Sequence, residues 1–376
     1  MKSKILNILL ASTGGHIGGE ETFTRNLALA LIGRGHKIWV APGGPVQAED
    51  LQRNGIPVAQ LAISGRSPWG LLKGALAIKN FVRDNNIDII HCQAAGPAIM
   101  GAISKTLHLS SGKKLWLWHD HGVSQRTYSW LPFFLNRLDQ SVANSDYELI
   151  KLMGNGVKSE KICRIHNGID LKLWDLPEDQ KQENRCEIRK KYQIPDDAPV
   201  WGYVGRLSPE KGCDLFLAAY LKIMRQCPGA YFLIVGDGKM SEELKQSFRN
   251  SAFPDHVRFC GFQTEMTRYL SALDVLIMPS YMETFSLTVL QAMALRIPVV
   301  GTDVGGNPEQ IYPEYDGLLC EKGNADGLAD AVLRLLREPE TRHSMGNTGV
   351  NIIRGYLNID RMIDQIEATY MTLSRG

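Results

Sequence analysis

The chain's 376 residues carry 42 Lys+Arg against 40 Asp+Glu and are 44% hydrophobic and 22% charged, enough sequence for about two ordinary domains. That composition excludes a disordered chain, a collagen-like one and a polytopic membrane protein, and a net charge of +2 gives no sign of a chain built chiefly to coat nucleic acid. The total conceals an asymmetry: Met1–Gly168 holds 19 basic and 11 acidic residues, net +8, which leaves 23 and 29, net −6, for the rest. Two domains with different partners are the expectation.

In chain order, the apolar run Ile5–Ala11 imitates a short signal peptide. However, Asn7 interrupts it and Gly14-Gly15-His16 stands where a small-residue cleavage site belongs, so it reads as a first buried strand. The runs Lys37–Ala41, Pro57–Leu61, Asp88–Cys92, Lys114–Trp118 and Ser141–Asn144 are further strand candidates. Between them lie helical stretches such as Glu20–Gly33, whose Phe23, Leu27, Ala30 and Leu31 share a face, and Trp69–Arg83. Strands alternating with helices predict a parallel sheet covered on both sides. The polar stretch Asp175–Arg189, which contains Pro177, reads as a separator. A second series follows: Val200–Val204, Tyr231–Val235, Val257–Cys260, Asp274–Met278, Pro298–Gly301 and Gly317–Cys320. The helical stretches Asp214–Gln226, Glu242–Asn250, Ser286–Leu295 and Ala325–Arg337 intervene. The second half thus repeats the first. The expected organisation is two doubly wound α/β domains, 1–168 and 169–356, facing a cleft, with ligands at the carboxyl ends of the strands. One or two closing helices, the last over about 357–376, could pack on either domain. No apolar stretch approaches the length of a membrane-spanning helix.

Seven scattered cysteines, with no C-x-x-C pair, are the usage of a reducing compartment rather than of a disulfide framework or zinc site, and a cytoplasmic protein is expected. Three loops carry chemistry. The first strand runs into Thr13-Gly-Gly-His-Ile-Gly-Gly-Glu-Glu-Thr22, a glycine-rich turn that opens a helix and offers free N–H groups to an anion. Its spacing fits neither the dehydrogenase nor the P-loop fingerprint. Gly205-Arg-Leu-Ser-Pro-Glu-Lys-Gly212 follows the first strand of the second series and sets Arg206 and Lys211 five residues apart, suited to a diphosphate. Beyond the strand Asp274–Met278, Glu283 stands at a helix entrance, where a carboxylate can accept hydrogen bonds from ligand hydroxyls. Gln291, a little over two turns later, lies on roughly the same face.

Together with Gly18-Gly19-Glu20, Asn144-Ser145, His166-Asn-Gly-Ile-Asp170, Gly236-Asp-Gly238 and Gly301-Thr-Asp-Val-Gly-Gly-Asn-Pro-Glu309, these residues resemble the retaining glycosyltransferases of family 4, which have the GT-B fold. The resemblance covers nearly the whole chain, in matching order and spacing. It implies that Arg206 and Lys211 hold the donor's pyrophosphate and that Glu283 binds hydroxyls of the donor sugar. Thr284, Phe285, Ser286 and Leu287 would offer backbone N–H groups beside it, and Gly15, Gly19 and Gly205 would complete the donor site. The family's second Glu, which takes the ribose, is Gln291 here, an acceptor without charge. The family's cleft histidine is matched by His119, immediately after its strand, with His121 a close second and His91 and His16 behind them.

The resemblance implies hexosyl transfer from a UDP- or GDP-sugar to a glycan or lipid-linked acceptor in surface polysaccharide or lipopolysaccharide synthesis. No cofactor or metal is expected, in keeping with the absence of any D-x-D triplet. An epimerase on the same fold and a non-catalytic, donor-binding relic are the competing readings. A first half of net +8 would suit an anionic acceptor or peripheral contact with a membrane bearing one. Ser129–Leu138, with Arg126 and Arg137, would either dip into that interface or form a core helix, and Lys105, Lys113 and Lys114 would serve the same surface or be ordinary solvated side chains.

Overall fold

A computed structural model describes residues 4–14, 18–63, 65, 67–109 and 114–375. The chain forms two compact units, Met1–Asn167 with Ile359–Gly376, and Gly168–Asn358. Gly15, His16 and Lys113 lie outside the described residues.

The first unit holds β1 (Asn7–Ala11), β2 (Lys37–Ala41), β3 (Ile89–Cys92), β4 (Leu115–His119), β5 (Gln140–Ala143) and β6 (Ile162–Arg164), in spatial order β2-β1-β3-β4-β5-β6. All the pairings are parallel. The expected strand Pro57–Leu61 is not one. Only Val58 bridges to Val40, through Val40 N–H to the Pro57 carbonyl (2.9 Å) and Ala59 N–H to the Val40 carbonyl (2.8 Å). Pro57 has no N–H to donate, which limits any ladder there. The unpredicted β6 is three residues long and ends on Arg164, too short for any periodicity to register.

The second unit holds β7 (Val200–Val204), β8 (Tyr231–Val235), β9 (Val257–Gly261), β10 (Val275–Met278), β11 (Val299–Thr302) and β12 (Gly317–Cys320), in order β12-β11-β10-β7-β8-β9. This is the 3-2-1-4-5-6 arrangement of a doubly wound fold, and its order reverses between β7 and β10. Its strands read as continuous apolar runs because both faces are covered. Along β7, Val200 and Val204 join one core cluster while Trp201 and Tyr203 join the one on the opposite face.

The polar stretch taken for a separator is largely a helix, Glu178–Lys191. It buries two residues, Ile188 and a charged one, Arg189. The Arg189 guanidinium is fully buried, donating to the Ala198 carbonyl (2.7 Å) and to Asp274 (3.1 Å). Asp175, just before it, pairs with Arg296 (2.7 Å) and Arg354. Two helices close the chain, Pro339–Gly355 in the second unit and Ile359–Arg375 in the first. The last one is held by Arg34, which meets Asp364 at 2.9 Å, and by His36, which meets Glu367 at 2.7 Å. Tyr370, at its buried side, bonds His91 Nδ1 at 2.7 Å.

Candidate active site

In the second unit the strand order reverses between β7 and β10, and the loops that leave their carboxyl ends are Gly205–Gly212 and Pro279–Ser286. Arg206, Lys211 and Glu283 all lie on these two loops. Lys211 Nζ meets Glu283 Oε2 at 2.7 Å, with the Glu283 side chain only 10% exposed and that of Lys211 26%. Ser280 Oγ donates to the same oxygen at 3.3 Å. Further bonds lash the two loops together: Tyr281 N–H to the Glu210 carbonyl (2.9 Å) and Tyr281 OH to Asp214 Oδ2 (2.6 Å). Arg206 is exposed, and its guanidinium makes no hydrogen bond or ion pair among the described residues, although its charge acts on the nearby Glu210 carboxylate. One cation is therefore held in reserve by a carboxylate and the other is open to solvent.

A third loop, after β11, fixes Glu283 from behind. Gly306 N–H donates to the Glu283 carbonyl (3.1 Å), and Gly305, at φ +55°, lies so close that a Cβ there would stand 1.7 Å from that oxygen. Gly212, at φ +70°, similarly packs against the Pro279 carbonyl, 1.9 Å from where a Cβ would fall. Both positions require a backbone that only glycine adopts freely and a space that only glycine leaves. Thr302 Oγ1 completes the frame by donating to the Ser280 carbonyl (2.6 Å). Sequence reasoning had the Gly301–Glu309 segment as a motif but no role for it; the paired glycines directly after a strand were the available signal.

The expected backbone cradle is partly committed elsewhere. Ser286 N–H is bonded to Gln310 Oε1 (2.7 Å) and its hydroxyl caps the helix Leu287–Ala294 by accepting from Val289 N–H (3.4 Å). Ser286 therefore does not turn its amide outward as anticipated: Gln310, a residue missed from sequence, takes it. Phe285 is buried, whereas Thr284 and Leu287 are partly exposed. Of the amides in the first turn of this helix, Val289 N–H is taken by the Ser286 hydroxyl, and those of Leu287 and Thr288 have no acceptor within their own turn. Gln291, 8% exposed, has an amide with no partner among the described residues. Gly205, whose N–H donates to the Val235 carbonyl (2.9 Å), supports the turn in which Tyr203 OH bonds the Arg206 carbonyl (2.8 Å).

In the first unit, Gly19 is the exposed first residue of the helix Gly19–Gly33, and a Cβ there would meet nothing within 4 Å among the described residues. The fold itself does not demand glycine at that position. Beside it, Glu20 accepts from Ser12 Oγ (2.7 Å), and burial pushes its carboxyl up to about 7. The three histidines at the carboxyl edge of the sheet form one cluster. His119 stacks on His121 (centroids 5.1 Å) and lies 5.5 Å from His91 and 4.5 Å from Phe23. His119 is fully buried with neither ring nitrogen bonded, whereas His121 is half-buried. Gln93 Nε2 is directed to the His91 carbonyl (3.4 Å), so its Oε1 accepts from His121 Nε2 (3.0 Å) and His121 Nδ1 is left as an acceptor. Burial holds all three rings well below the usual imidazole range, with His91 and His121 at about 3. They are neutral at pH 7, so the cluster offers acceptors and shape rather than positive charge.

The model for glycosyl transferases group 1 matches residues 184–351, and that for glycosyltransferase family 4 matches residues 17–173. Among curated proteins, the chain is 26% identical to the N-acetyl-alpha-D-glucosaminyl L-malate synthase of Bacillus anthracis, over 96% of this chain and 95% of that one. It is 25% identical to the UDP-Gal:alpha-D-GlcNAc-diphosphoundecaprenol alpha-1,3-galactosyltransferase of Escherichia coli, over 80% of each. Among solved structures, Alr3699/HepE of Anabaena in complex with UDP-glucose superposes with a TM-score of 0.85 at 22% identity, covering 98% of this chain and all of that one.

Proposed function

The chain belongs to the group 1 glycosyltransferases of the GT-B fold, and on that premise we propose that it moves a hexose from a UDP- or GDP-sugar to a hydroxyl of a glycan or lipid-linked glycan, with retention of configuration. The observation that carries this reading is the convergence of Arg206, Lys211 and Glu283 where the strand order of the second sheet reverses, the place where such sheets bind ligands. The Bacillus and Escherichia relatives are named for hexosyl products, the latter on a polyprenyl diphosphate, and the Anabaena structure holds UDP-glucose. UDP-Gal in the Escherichia name and UDP-glucose in the Anabaena structure support a nucleoside diphosphate donor; of the two relatives, the Escherichia one is named for a lipid-linked glycan and the Bacillus one for an L-malate product, so the acceptor reading leans on the former.

In this reading the donor diphosphate draws Lys211 from Glu283 and takes Arg206 as a forked partner. Glu283, relieved of its cation, accepts from the sugar hydroxyls, while Gln291 supplies its unpartnered amide to the ribose. The second half is net negative, so these two cations and the helix amides must outweigh the average field of their own domain. The C1–O bond to the diphosphate breaks as C1 bonds the acceptor oxygen on the same face, and the acceptor proton passes to the leaving phosphate. The protein orients the sugars and neutralises the charge that develops on the leaving group, and no metal is called for. On the acceptor side His121 Nδ1 is the accessible acceptor, and the bare Gly19 lets a ligand approach the backbone.

Release of UDP or GDP from a panel of nucleotide sugars, with and without oligosaccharide acceptors, tests this. Acceptor-stimulated release supports transfer. An epimerised sugar, whether recovered on the nucleotide or free beside nucleoside diphosphate, would identify an epimerase, and neither release nor epimerisation of any donor would leave only the binding relic.

A further inference from the structure

In the first unit, both ends of one loop close on a single carboxylate. The loop 121–127 leaves β4 and is largely exposed, but the residues that bracket it, Asp120 and Tyr128, are fully buried, as is Glu148 on the helix Asp146–Gly154. Tyr128 OH donates to Glu148 Oε2, and the Asp120 carboxyl lies within hydrogen-bond reach of Glu148. Asp120 also spans His121: its N–H donates to the Val142 carbonyl of β5 (2.9 Å), and its Oδ1 accepts from Gly122 N–H (2.8 Å). The backbone of His121 is thus bracketed by two bonds of Asp120, while its ring is held by Gln93 and by the stack on His119.

The charges that act on Asp120 come from the helix Asp146–Gly154: Glu148, and Lys151, whose ammonium is 3.7 Å from Glu148 Oε1. On its own loop it faces the Tyr128 hydroxyl, and the adjacent rings of His119 and His121 are neutral. One cation does not compensate two buried carboxylates in contact, so one acid keeps a proton. Glu148 is the better anion, because it takes the Tyr128 hydroxyl, faces Lys151 and sits in the first turn of a helix capped by Ser145. Asp120 Oδ2 and Glu148 Oε1 are both buried and accept no hydrogen bond from any fixed donor among the described residues. A proton on Asp120 Oδ2 joins them. Burial, and then the charge of Glu148, holds the Asp120 carboxyl well above the ordinary carboxylate range. We propose that Asp120 donates its own carboxyl proton to Glu148 and is thereby a positioning residue, which clasps the loop at its base and holds His121 at the end of β4. Loss of that proton sets two buried carboxylates against each other and frees the turn at Gly122. That the clasp serves the reaction rests on the acceptor-side role given to His121 above.

The test compares the full chain as wild type, Asp120→Asn and Asp120→Ala. Asn keeps both bonds, since its oxygen accepts from Gly122 N–H and its amide donates to Glu148, and it has no proton to lose. With the folded-state carboxyl raised, the contribution of Asp120 is fully present below the ordinary carboxylate range and is lost as pH rises through the raised value. In urea unfolding from about pH 5 upward, the wild-type unfolding constant of the first unit should therefore grow about tenfold per pH unit relative to that of Asp120→Asn, until the folded-state proton is lost. Every other titrating group is common to both proteins and cancels in the ratio. The second readout is the His121 imidazole in nuclear magnetic resonance of histidine-labelled protein, assigned by its loss in His121→Gln. Wild type and Asp120→Asn should show the Nε2–H tautomer that donates to Gln93, whereas Asp120→Ala should show the mixed tautomers of a released ring. A pH-independent stability ratio between wild type and Asp120→Asn overturns the proposal, as do His121 signals in Asp120→Ala that match wild type. Both readouts are taken without substrate, so their failure strikes the clasp and leaves the reading of function standing.

Discussion

If Lys211 and Glu283 hold each other until a diphosphate arrives, removing either should loosen the loops that carry them, and removing both should loosen them less than the two effects added. At 2.7 Å the gross attraction is about 6 kcal/mol in an effective dielectric of ~20. Desolvation of the nearly buried carboxylate offsets much of this, and Lys211 remains partly in water. The net coupling should therefore be about 1–3 kcal/mol. Among the described residues Lys211→Met leaves Glu283 the Ser280 hydroxyl at 3.3 Å, and Glu283→Gln leaves Lys211 the charge of the neighbouring Glu210 but no ion pair. The readout is hydrogen exchange of peptides spanning Ser280–Gln310, which lie within the second unit. Each single variant should exchange about 5- to 150-fold faster, and the double variant should recover part of that loss. A saturating nucleoside diphosphate should slow exchange in wild type by replacing the internal ion pair with a ligand. Single variants within twofold of wild type, or strictly additive effects in the double variant, would refute the reserve-cation reasoning.

Other outcomes follow from the same structure. Gly305→Ala should destabilise the second unit by about 3 kcal/mol or more, read by urea unfolding, because both the positive φ and the Glu283 carbonyl oppose a Cβ; wild-type stability would show that the loop is not clamped. Glu20 has a folded-state carboxyl raised to about 7, so its contribution is fully present below the ordinary carboxylate range and is lost as pH rises through 7. Glu20→Gln should flatten the fall in stability between pH 5 and 8, worth about 2–3 kcal/mol at most, and an unchanged pH profile would refute the burial argument. Gln291→Glu should keep or improve donor affinity in calorimetry if the side chain meets ribose hydroxyls, since it restores a charged acceptor; loss of binding would remove Gln291 from the site.

Much of the fold was legible because strands buried on both faces must be continuous apolar runs, as in Tyr231–Val235, which matches its expected bounds. Illegible elements broke that rule. Pro57–Leu61 has the composition of a strand but lacks a donor at Pro57, and Glu178–Lys191 is a helix that buries just the adjacent Ile188 and Arg189. The site was legible residue by residue, since cations and a carboxylate on loops after strands announce themselves. Its assembly was not. The Lys211–Glu283 pair spans 72 positions, the Gly305 clamp belongs to a third loop, and Gln310, which captures Ser286, lies further along that same loop, none of which periodicity records. The histidines illustrate the same limit. His119 and His121 are two residues apart in a strand-to-loop transition, and only packing decides that the first is enclosed by Phe23 and His91 while the second reaches solvent.

Donor binding by the loops of the second sheet is tested most cleanly at Arg206, because the side chain is exposed and makes no hydrogen bond or ion pair among the described residues, so its loss should not disturb the fold. Calorimetric titration of UDP- and GDP-sugars into wild type and Arg206→Ala should give binding of at least one donor to wild type and a loss of about tenfold or more in affinity in the variant. Equal affinity in the two proteins would contradict the assigned site, and no binding of any nucleotide sugar to wild type would contradict the proposed donor class.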